Sequence, residues 1–358
     1  MQQGVRLTRR RLVLSVLFVV AVVAFMYLGL PKLVGLGATW RRLTQGNGWW
    51  LGAAAVLELI SFGGYIALFR AVFVHGAERI GWAASYQITL AGLVATRLFA
   101  AGGAGGIALT VWALRRAGMD ARTVASKMVA FNVLLYAVYM LSLVIGGLGL
   151  YFGVFDGPGP FAITVVPAIF GGAVIVVVLA VSLLPADAER LVAHGTSRTS
   201  HPHLSAILVR LATVPAAAAT GIRTALALIR GRDPSLLGAI GSWGFDIATL
   251  WACFHAFGAS PPIAVIVTAY FVGWLANLLP LPGGVGGVEG GMIGAFSALG
   301  VGVDSAIVAV LAYRAFSFWA PMLPGGVAYL QLRKTVSNWR DTDEHQAVSI
   351  AETPSYTL

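Results

Sequence analysis

The amino-acid sequence predicts an all-α, polytopic membrane protein with about seven full spans and two glycine-rich hairpins of broken helix. Hydrophobic residues make up 58% of the 358 positions and charged residues only 11%, against about 25% in a typical soluble domain. Uncharged runs as long as a membrane span, roughly 20 residues, recur along the chain. Helices are expected because lipid cannot satisfy open backbone groups and these runs lack the alternation of barrel strands.

The first predicted span covers residues 12–30, after a basic N-terminus at 1–11. A basic N-terminus followed by an apolar run resembles a signal peptide. The apolar run is longer than usual, however, and no A-x-A cleavage site follows it, so we interpret it as a retained span. The next span covers residues 49–69, where Glu58 is the only charged residue.

Two further spans are predicted from the uncharged runs 128–152 and 161–184. Between Asp246 and Glu289 the chain then contains no Asp, Glu, Lys or Arg. That stretch is too long for one span, and the sequence Gly-Ala-Ser-Pro-Pro at 258–262 predicts a turn within it.

The basic residues predict the orientation and the polar segments. They account for the net charge of +10 and are assigned to cytoplasmic loops facing anionic lipid, with no nucleic-acid partner. Both termini are expected in the cytoplasm and the protein in the cytoplasmic (inner) membrane. Within the basic connector 185–234, residues 204–229 are interpreted as an interfacial helix, either a headgroup sensor or a simple connector. The polar tail, 333–358, is expected to be disordered.

Two glycine-rich stretches, 95–107 and 276–288, align without gaps and predict an internal repeat. The glycines of the first, Gly102, Gly103, Gly105 and Gly106, match those of the second, Gly283, Gly284, Gly286 and Gly287. The surrounding basic residues predict that the two elements open to opposite faces of the membrane. Inverted repeats with broken helices are typical of transporters, whose sites lie near the bilayer midplane.

The second glycine-rich element is a candidate binding site. Pro280 and Pro282 remove backbone donors and break the helix, and a new helix is predicted to begin near Val288. Its free N–H groups and positive dipole end would attract an anion such as a lipid phosphate. The alternative is a kink that serves only close helix packing.

Acidic and basic residues inside the apolar runs are the other candidates. Glu58, Asp246 and Glu289 are the acids, and Arg97 and Arg314 are the bases available to pair with them. A charge at the bilayer centre costs about 2.5–3.5 kcal/mol on insertion scales, so each should be paired, protonated or in contact with water. They form either structural salt bridges or a track for a charged headgroup or a proton.

The motifs of soluble catalysis are absent from the sequence. It contains no P-loop, HExxH, G-x-S-x-G or CxxC, and Cys253 is its single cysteine. We therefore predict no catalytic residues, no metal and no cofactor, and a transporter in preference to an enzyme.

The second glycine-rich element reads Leu281-Pro-Gly-Gly-Val-Gly-Gly-Val-Glu289, and it is followed by Gly300-Val-Gly, Tyr313-Arg314, Trp319, Pro321 and Gly325. In these residues the chain resembles the lysylphosphatidylglycerol synthase transmembrane family of flippase-like proteins. The resemblance covers residues 12–332, the predicted transmembrane domain. The resemblance implies a role in moving lipid across the bilayer. By matching position it also implies that the site residues include Pro282, Gly283, Gly284, Glu289 and Arg314.

The chain departs from that family in two ways. No aminoacyl-transferase domain is found, so lysine transfer is not expected, and the first glycine-rich element lacks the proline and acid of the second.

The leading functional prediction is a flippase-like translocase for an anionic phospholipid or a polyprenyl-phosphate-linked lipid or glycolipid. The alternatives are a membrane-embedded transferase that uses a lipid-linked donor, and a scaffold subunit that partners a glycosyltransferase.

Overall fold

In the computed structural model of the protein, the described residues are 44–74, 79–98, 104–183, 218–278 and 284–352. Within these ranges the chain folds into helices joined by short turns, with no β-strand. The all-α membrane fold predicted from the sequence is thereby confirmed.

Several sequence predictions concern residues beyond those ranges. The basic N-terminus, the first predicted span at 12–30 and most of the connector lie outside the described residues. Residues 218–230, at the end of the connector, are helical and bury Ala219, Ile222 and Ala225 on one face.

The helices bear the following labels. They are α1 (Gly48–Phe73), α2 (Trp82–Leu98), α3 (Ala104–Arg116), α4 (Ala121–Tyr151), α5 (Phe161–Ser182), α6 (Leu237–Ala256), α7 (Ile263–Trp274), α8 (Gly287–Ala298), α9 (Val303–Arg314) and α10 (Met322–Glu352). A short 3₁₀ turn, Leu275–Leu278, extends α7, and a π-helical segment, Ala315–Trp319, joins α9 towards α10.

Five segments of the described chain are long and apolar enough to cross a membrane. They are α1, α4, α5, α6 and the nearly continuous stretch Val303–Trp339. The predicted turn at 258–262 is present, since α6 ends at Ala256 and α7 begins at Ile263.

The remaining helices form two short hairpins. Helices α2 and α3 have 17 and 13 residues, and α7 and α8 have 12 each, fewer than the roughly 20 that a full span needs. Each hairpin packs through small residues. A Cβ placed on Gly92 would lie 3.2 Å from Thr110 Oγ1, and one on Gly291 would lie 3.1 Å from the backbone of Gly273. These pairs lie at matching distances on either side of the two glycine-rich stretches.

The repeat extends beyond the glycine-rich stretches. Helices α3 and α8 both end on a left-handed glycine, Gly118 (φ 94°) and Gly300 (φ 80°). In each, the next residue returns a hydrogen bond to the helix, from Met119 N to Leu114 O and from Val301 N to Phe296 O, which is the Schellman motif. The order of a long helix, two short helices and a further helix is thus the same in α1–α4 and α6–α9.

The first helices of the two halves, α1 and α6, pack against each other and run antiparallel. Asn47 N donates to Ala256 O (2.9 Å), whereas Ser61 Oγ donates to Ser242 O (2.8 Å). Residue numbers therefore rise along α1 as they fall along α6. An antiparallel pairing of equivalent helices is what an inverted repeat requires.

The C-terminal segment differs from the sequence prediction. The tail expected to be disordered, 333–358, is helical as far as Glu352. The reason is tertiary packing: Leu332 and Val336 are buried in the hydrophobic cluster that includes Leu114 of α3. Thr335 Oγ1 also donates to Gln87 Oε1 of α2 at 2.8 Å. These contacts fix the start of the segment, from which a helix propagates at little cost.

A bulky residue at Gly64 should separate α1 from α6. A Cβ there would lie 2.8 Å from Ser242 N, whereas one on Gly63 would meet nothing within 4 Å. We expect Gly64→Leu to lower the free energy of unfolding by about 1–3 kcal/mol, the usual cost of overpacking, and Gly63→Leu to change it little. Thermal unfolding of both variants in detergent measures this, and equal stability would contradict the packing.

Cysteine labelling tests the inverted repeat. Ala121 and Val303 are the first residues of α4 and α9 and are both exposed. With Cys253 replaced by Ala, Ala121→Cys should react with a membrane-impermeant thiol reagent from one side of the membrane and Val303→Cys from the other. Labelling of both from the same side would refute the inverted arrangement.

Candidate functional site: a buried polar cluster between the two halves

The ionisable residues predicted from the apolar runs come together in the structure. Glu58 lies on α1, Arg97 on α2, Asp246 on α6, Glu289 on α8 and Arg314 on α9, so both halves contribute to one cluster. Glu58, Glu289 and Arg314 are each at least 95% buried, and the other two are partly buried.

An ion pair fixes the start of α8. Arg314 Nε donates to Glu289 Oε1 at 2.7 Å, and the backbone N–H of Gly286 donates to Glu289 Oε2 at 2.7 Å. Glu289 is the third residue of its helix, where a carboxylate is favoured by the free N–H groups and the helix dipole. Gly286 has φ 82°, a conformation that favours glycine.

The second nitrogen on the same edge of the Arg314 guanidinium has no partner. A carboxylate commonly accepts from both nitrogens of an arginine edge. Here one Glu289 oxygen is engaged by Gly286, and Arg314 Nη2 is left buried without an acceptor. A buried unsatisfied donor costs about 1–3 kcal/mol, more when it is charged. An anionic oxygen placed beside it would remove that cost.

Both arginines also contact Phe318 in the π-helical segment. The guanidinium carbons of Arg314 and Arg97 lie 4.4 and 4.7 Å from the centre of its ring. Arg97 further donates to the carbonyl of Ser317 at 2.6 Å and to that of Phe318. A π-helical turn disturbs the regular helical hydrogen bonds, and such turns frequently occur at functional sites. Arg97 thus links the first hairpin to this turn.

The second part of the cluster is a pair of acids at the α1–α6 crossing. Tyr313 Oη donates to Asp246 Oδ2 at 3.0 Å, and Tyr270 Oη donates to the same oxygen. Asp246 Oδ1 and Glu58 Oε2 are buried without a donor. The contacts of Thr249 Oγ1 with Ala54 O (3.4 Å) and of Ser61 Oγ with Ser242 O (2.8 Å) lie on either side of the two acids, so Glu58 and Asp246 belong to facing stretches of α1 and α6. A hydrogen bond between two carboxyl groups needs a proton, because ionised carboxylates only accept.

With one proton on the acid pair, the formal charges of the cluster cancel. Arg97 and Arg314 contribute two positive charges, Glu289 one negative charge, and the pair of Glu58 and Asp246 the other. A neutral cluster is the arrangement that a low-dielectric interior favours.

The structure places the predicted glycines in two different roles. Gly284 (φ 68°) and Gly286 form the turn into α8, which begins at Gly287, one residue before the predicted position. Gly105 and Gly106 lie in α3, and Gly106 packs so closely on α2 that a Cβ would collide with Thr96 Oγ1. The other predicted members, Gly102, Gly103, Pro280, Pro282 and Gly283, lie outside the described residues.

The aromatic rings, tyrosine hydroxyls and backbone carbonyls that contact the cluster were not predicted from the sequence. Tyr270, Ser317 and Phe318 were not singled out, and Tyr313 was quoted only for the family resemblance. A buried tyrosine hydroxyl needs a hydrogen-bond partner. Because Tyr270 lies in a run without charges, its presence could have predicted a polar partner on another helix. Across the described ranges, no three His, Cys, Asp or Glu side chains are grouped to hold a metal ion.

Comparisons with known proteins agree with the fold. A family model described as the lysylphosphatidylglycerol synthase TM region matches residues 12–325. Two alignments join the chain to proteins of Methanothermobacter thermautotrophicus called UPF0104 membrane protein. One is 38% identical over 101 residues, covering 28% of this chain and 29% of the relative. The other is 32% identical over 96 residues, covering 26% and 28%. The chain thus aligns with less than a third of each relative.

Removing one partner of the buried ion pair should destabilise the protein. Glu289→Gln leaves Arg314 buried without its counter-charge, and we expect a loss of about 3–5 kcal/mol of unfolding free energy. Arg314→Gln should cost a similar amount. The double variant should cost much less than the two single losses added, because no unpaired charge remains. Denaturation in detergent measures this cycle, and simple additivity would contradict a coupled pair.

Proposed function

Since the chain belongs to the lysylphosphatidylglycerol synthase TM region family, we propose that it is a lipid translocase. Its cargo is an anionic or polyprenyl-linked lipid or glycolipid, which it moves across the cytoplasmic membrane. The observation that carries this proposal is the unpartnered, buried Nη2 of Arg314 in the polar cluster between the two halves.

The chemistry of the cluster suits a phosphate headgroup. Arginine presents a planar set of donors that matches phosphate oxygens. Arg314 already holds Glu289 through Nε, so a phosphate oxygen on Nη2 completes the donor edge without breaking the ion pair. The start of α8 and its glycine turn lie beside this edge, and the N-terminus of a helix adds a favourable field for an anion.

The architecture suits movement across the bilayer. Helices α1 and α6 cross at glycines, since a Cβ on Gly238 would lie 2.8 Å from Leu68 N and would also collide with Gly64 O. Small residues at a crossing let backbones approach closely. In this proposal the two halves rock about that crossing and expose the cluster to one side of the membrane and then the other, as in other inverted-repeat transporters.

The lipid, and not a soluble solute, is the proposed cargo because the outer faces of the helices are apolar. Large apolar side chains are exposed along α5, among them Ile169 (62%) and Val176 (65%). A headgroup can enter the cluster from the side while its acyl or prenyl chain stays against such surfaces. This lateral route needs no water-filled channel through the protein.

Arg314→Lys tests the proposed contact with the headgroup. Lysine keeps the charge opposite Glu289 but lacks the planar fork that provides Nη2. We expect transfer of a fluorescent polyprenyl-phosphate analogue between the leaflets of proteoliposomes to fall by about tenfold to a hundredfold, the value of one charge-assisted hydrogen bond. Arg116→Lys, at an exposed position on α3, should transfer the analogue at the wild-type rate.

Two results would contradict the proposal. Wild-type protein that moves neither phospholipid nor polyprenyl-phosphate analogues would favour the transferase or scaffold alternatives. Transfer by Arg314→Lys at the rate of the wild type would remove Arg314 Nη2 from the route.

A further inference from the structure

The acid pair at the α1–α6 crossing is a second part of the cluster with unpartnered polar atoms. Glu58 comes from the first half and Asp246 from the second. The ion pair of the cluster joins Glu289 to Arg314, and within the described part of the chain neither Glu58 nor Asp246 forms one. Each acid keeps a buried oxygen for which the described residues supply no donor.

We propose that Glu58 and Asp246 form a proton-binding site, and that the protein carries one proton with each anionic headgroup it moves. This inference rests on the translocase function proposed above. It assigns the coupling ion and the two residues that bind it.

The neighbouring groups favour a proton over a larger cation. The hydroxyls of Tyr270 and Tyr313 both donate to Asp246 Oδ2. They therefore hold that carboxyl in place and leave Oδ1 for Glu58. Metal cations such as sodium or calcium take several oxygen ligands, whereas a shared proton needs only the two carboxyl oxygens that lack donors.

Charge balance explains the coupling to the headgroup. The resting cluster is neutral with one proton on the pair. A bound phosphate monoanion adds one negative charge near Arg314 and Arg97, and a second proton taken from water onto the pair restores neutrality. The charged groups near the pair are Arg97 on α2 and Arg314 on α9, and the neutral titratable groups near it are Tyr270 on α7, Tyr313 on α9 and Cys253 on α6. Proton and anion therefore bind together more strongly than either binds alone.

The place of the pair also provides a release step. Rocking about the crossing exposes the pair to water on one side of the membrane and then on the other. A buried carboxyl that meets water ionises and releases its proton. The proton taken up on one side of the membrane is thus released on the other, together with the headgroup.

Transport by full-length protein in proteoliposomes tests this coupling. The probe is a fluorescent polyprenyl-phosphate analogue, and its distribution between leaflets is measured with a membrane-impermeant quencher. If one proton moves with each lipid, a gradient of about one pH unit should support an about tenfold difference between the leaflets. Glu58→Gln and Asp246→Asn should abolish that difference. Asp156→Asn, which removes a carboxyl from an exposed loop, should keep it.

Infrared spectroscopy of the same samples detects the bound proton without transport. The wild type should show a protonated-carboxyl band that both Glu58→Gln and Asp246→Asn remove. Size-exclusion chromatography shows whether each variant remains folded. If a variant does not remain folded, the response of the wild type to the pH gradient and the shift of its band to lower frequency on deuterium exchange still test the proposal.

The possible results separate the two proposals. Lipid transfer that ignores the pH gradient, with no band assigned to the pair, overturns the proton site and leaves the translocase standing. Accumulation that follows a sodium gradient instead also overturns it. If the wild type moves no lipid, the translocase proposal fails, and the band alone supports or overturns the proton site.

Discussion

A charged side chain inside a lipid bilayer has no water to stabilise it, and this constraint organises the protein. Glu58, Asp246 and Glu289 together with Arg97 and Arg314 are placed within apolar helices, where each alone would cost several kcal/mol. In the structure these side chains lie together in one cluster, where opposite charges offset this cost. Helices from both halves converge there, and the ion pair of Glu289 and Arg314 is closed by the backbone of Gly286.

The glycines make that convergence possible. At the α1–α6 crossing, the backbones of Gly64 and Gly238 approach more closely than any side chain would allow. At the start of α8, the positive φ of Gly286 directs its N–H to Glu289. Close crossing and a sharp turn are separate uses of glycine, and the polar cluster depends on both.

Some buried polar atoms of the cluster have no hydrogen-bond partner, and the proposed function depends on these atoms. Arg314 lacks one acceptor, while Glu58 and Asp246 each lack a donor. In the proposed mechanism, an anion satisfies the first deficiency and a proton satisfies the second. Because the two proposed sites share one charge balance, we expect binding at either to strengthen binding at the other, which is the thermodynamic basis of coupled transport.

Much of this arrangement could be predicted from the sequence. The ionisable residues were identified because the cost of charge in lipid is a property of each residue and its apolar neighbours. The repeat was identified because the same glycines recur at the same spacing. The contacts of Tyr270 and Phe318 could not be predicted in this way, since they depend on which helices meet. The π-helical turn has no local sequence pattern, and the helical tail depends on the packing of Leu332 and Val336.

The most direct test of the central claim is a cryo-electron microscopy map of the protein in lipid nanodiscs with a bound polyprenyl-phosphate analogue. We expect density for the phosphate within hydrogen-bonding distance of Arg314 Nη2, with the ion pair to Glu289 intact. A phosphate bound elsewhere, with Arg314 Nη2 paired to a protein oxygen, would contradict it.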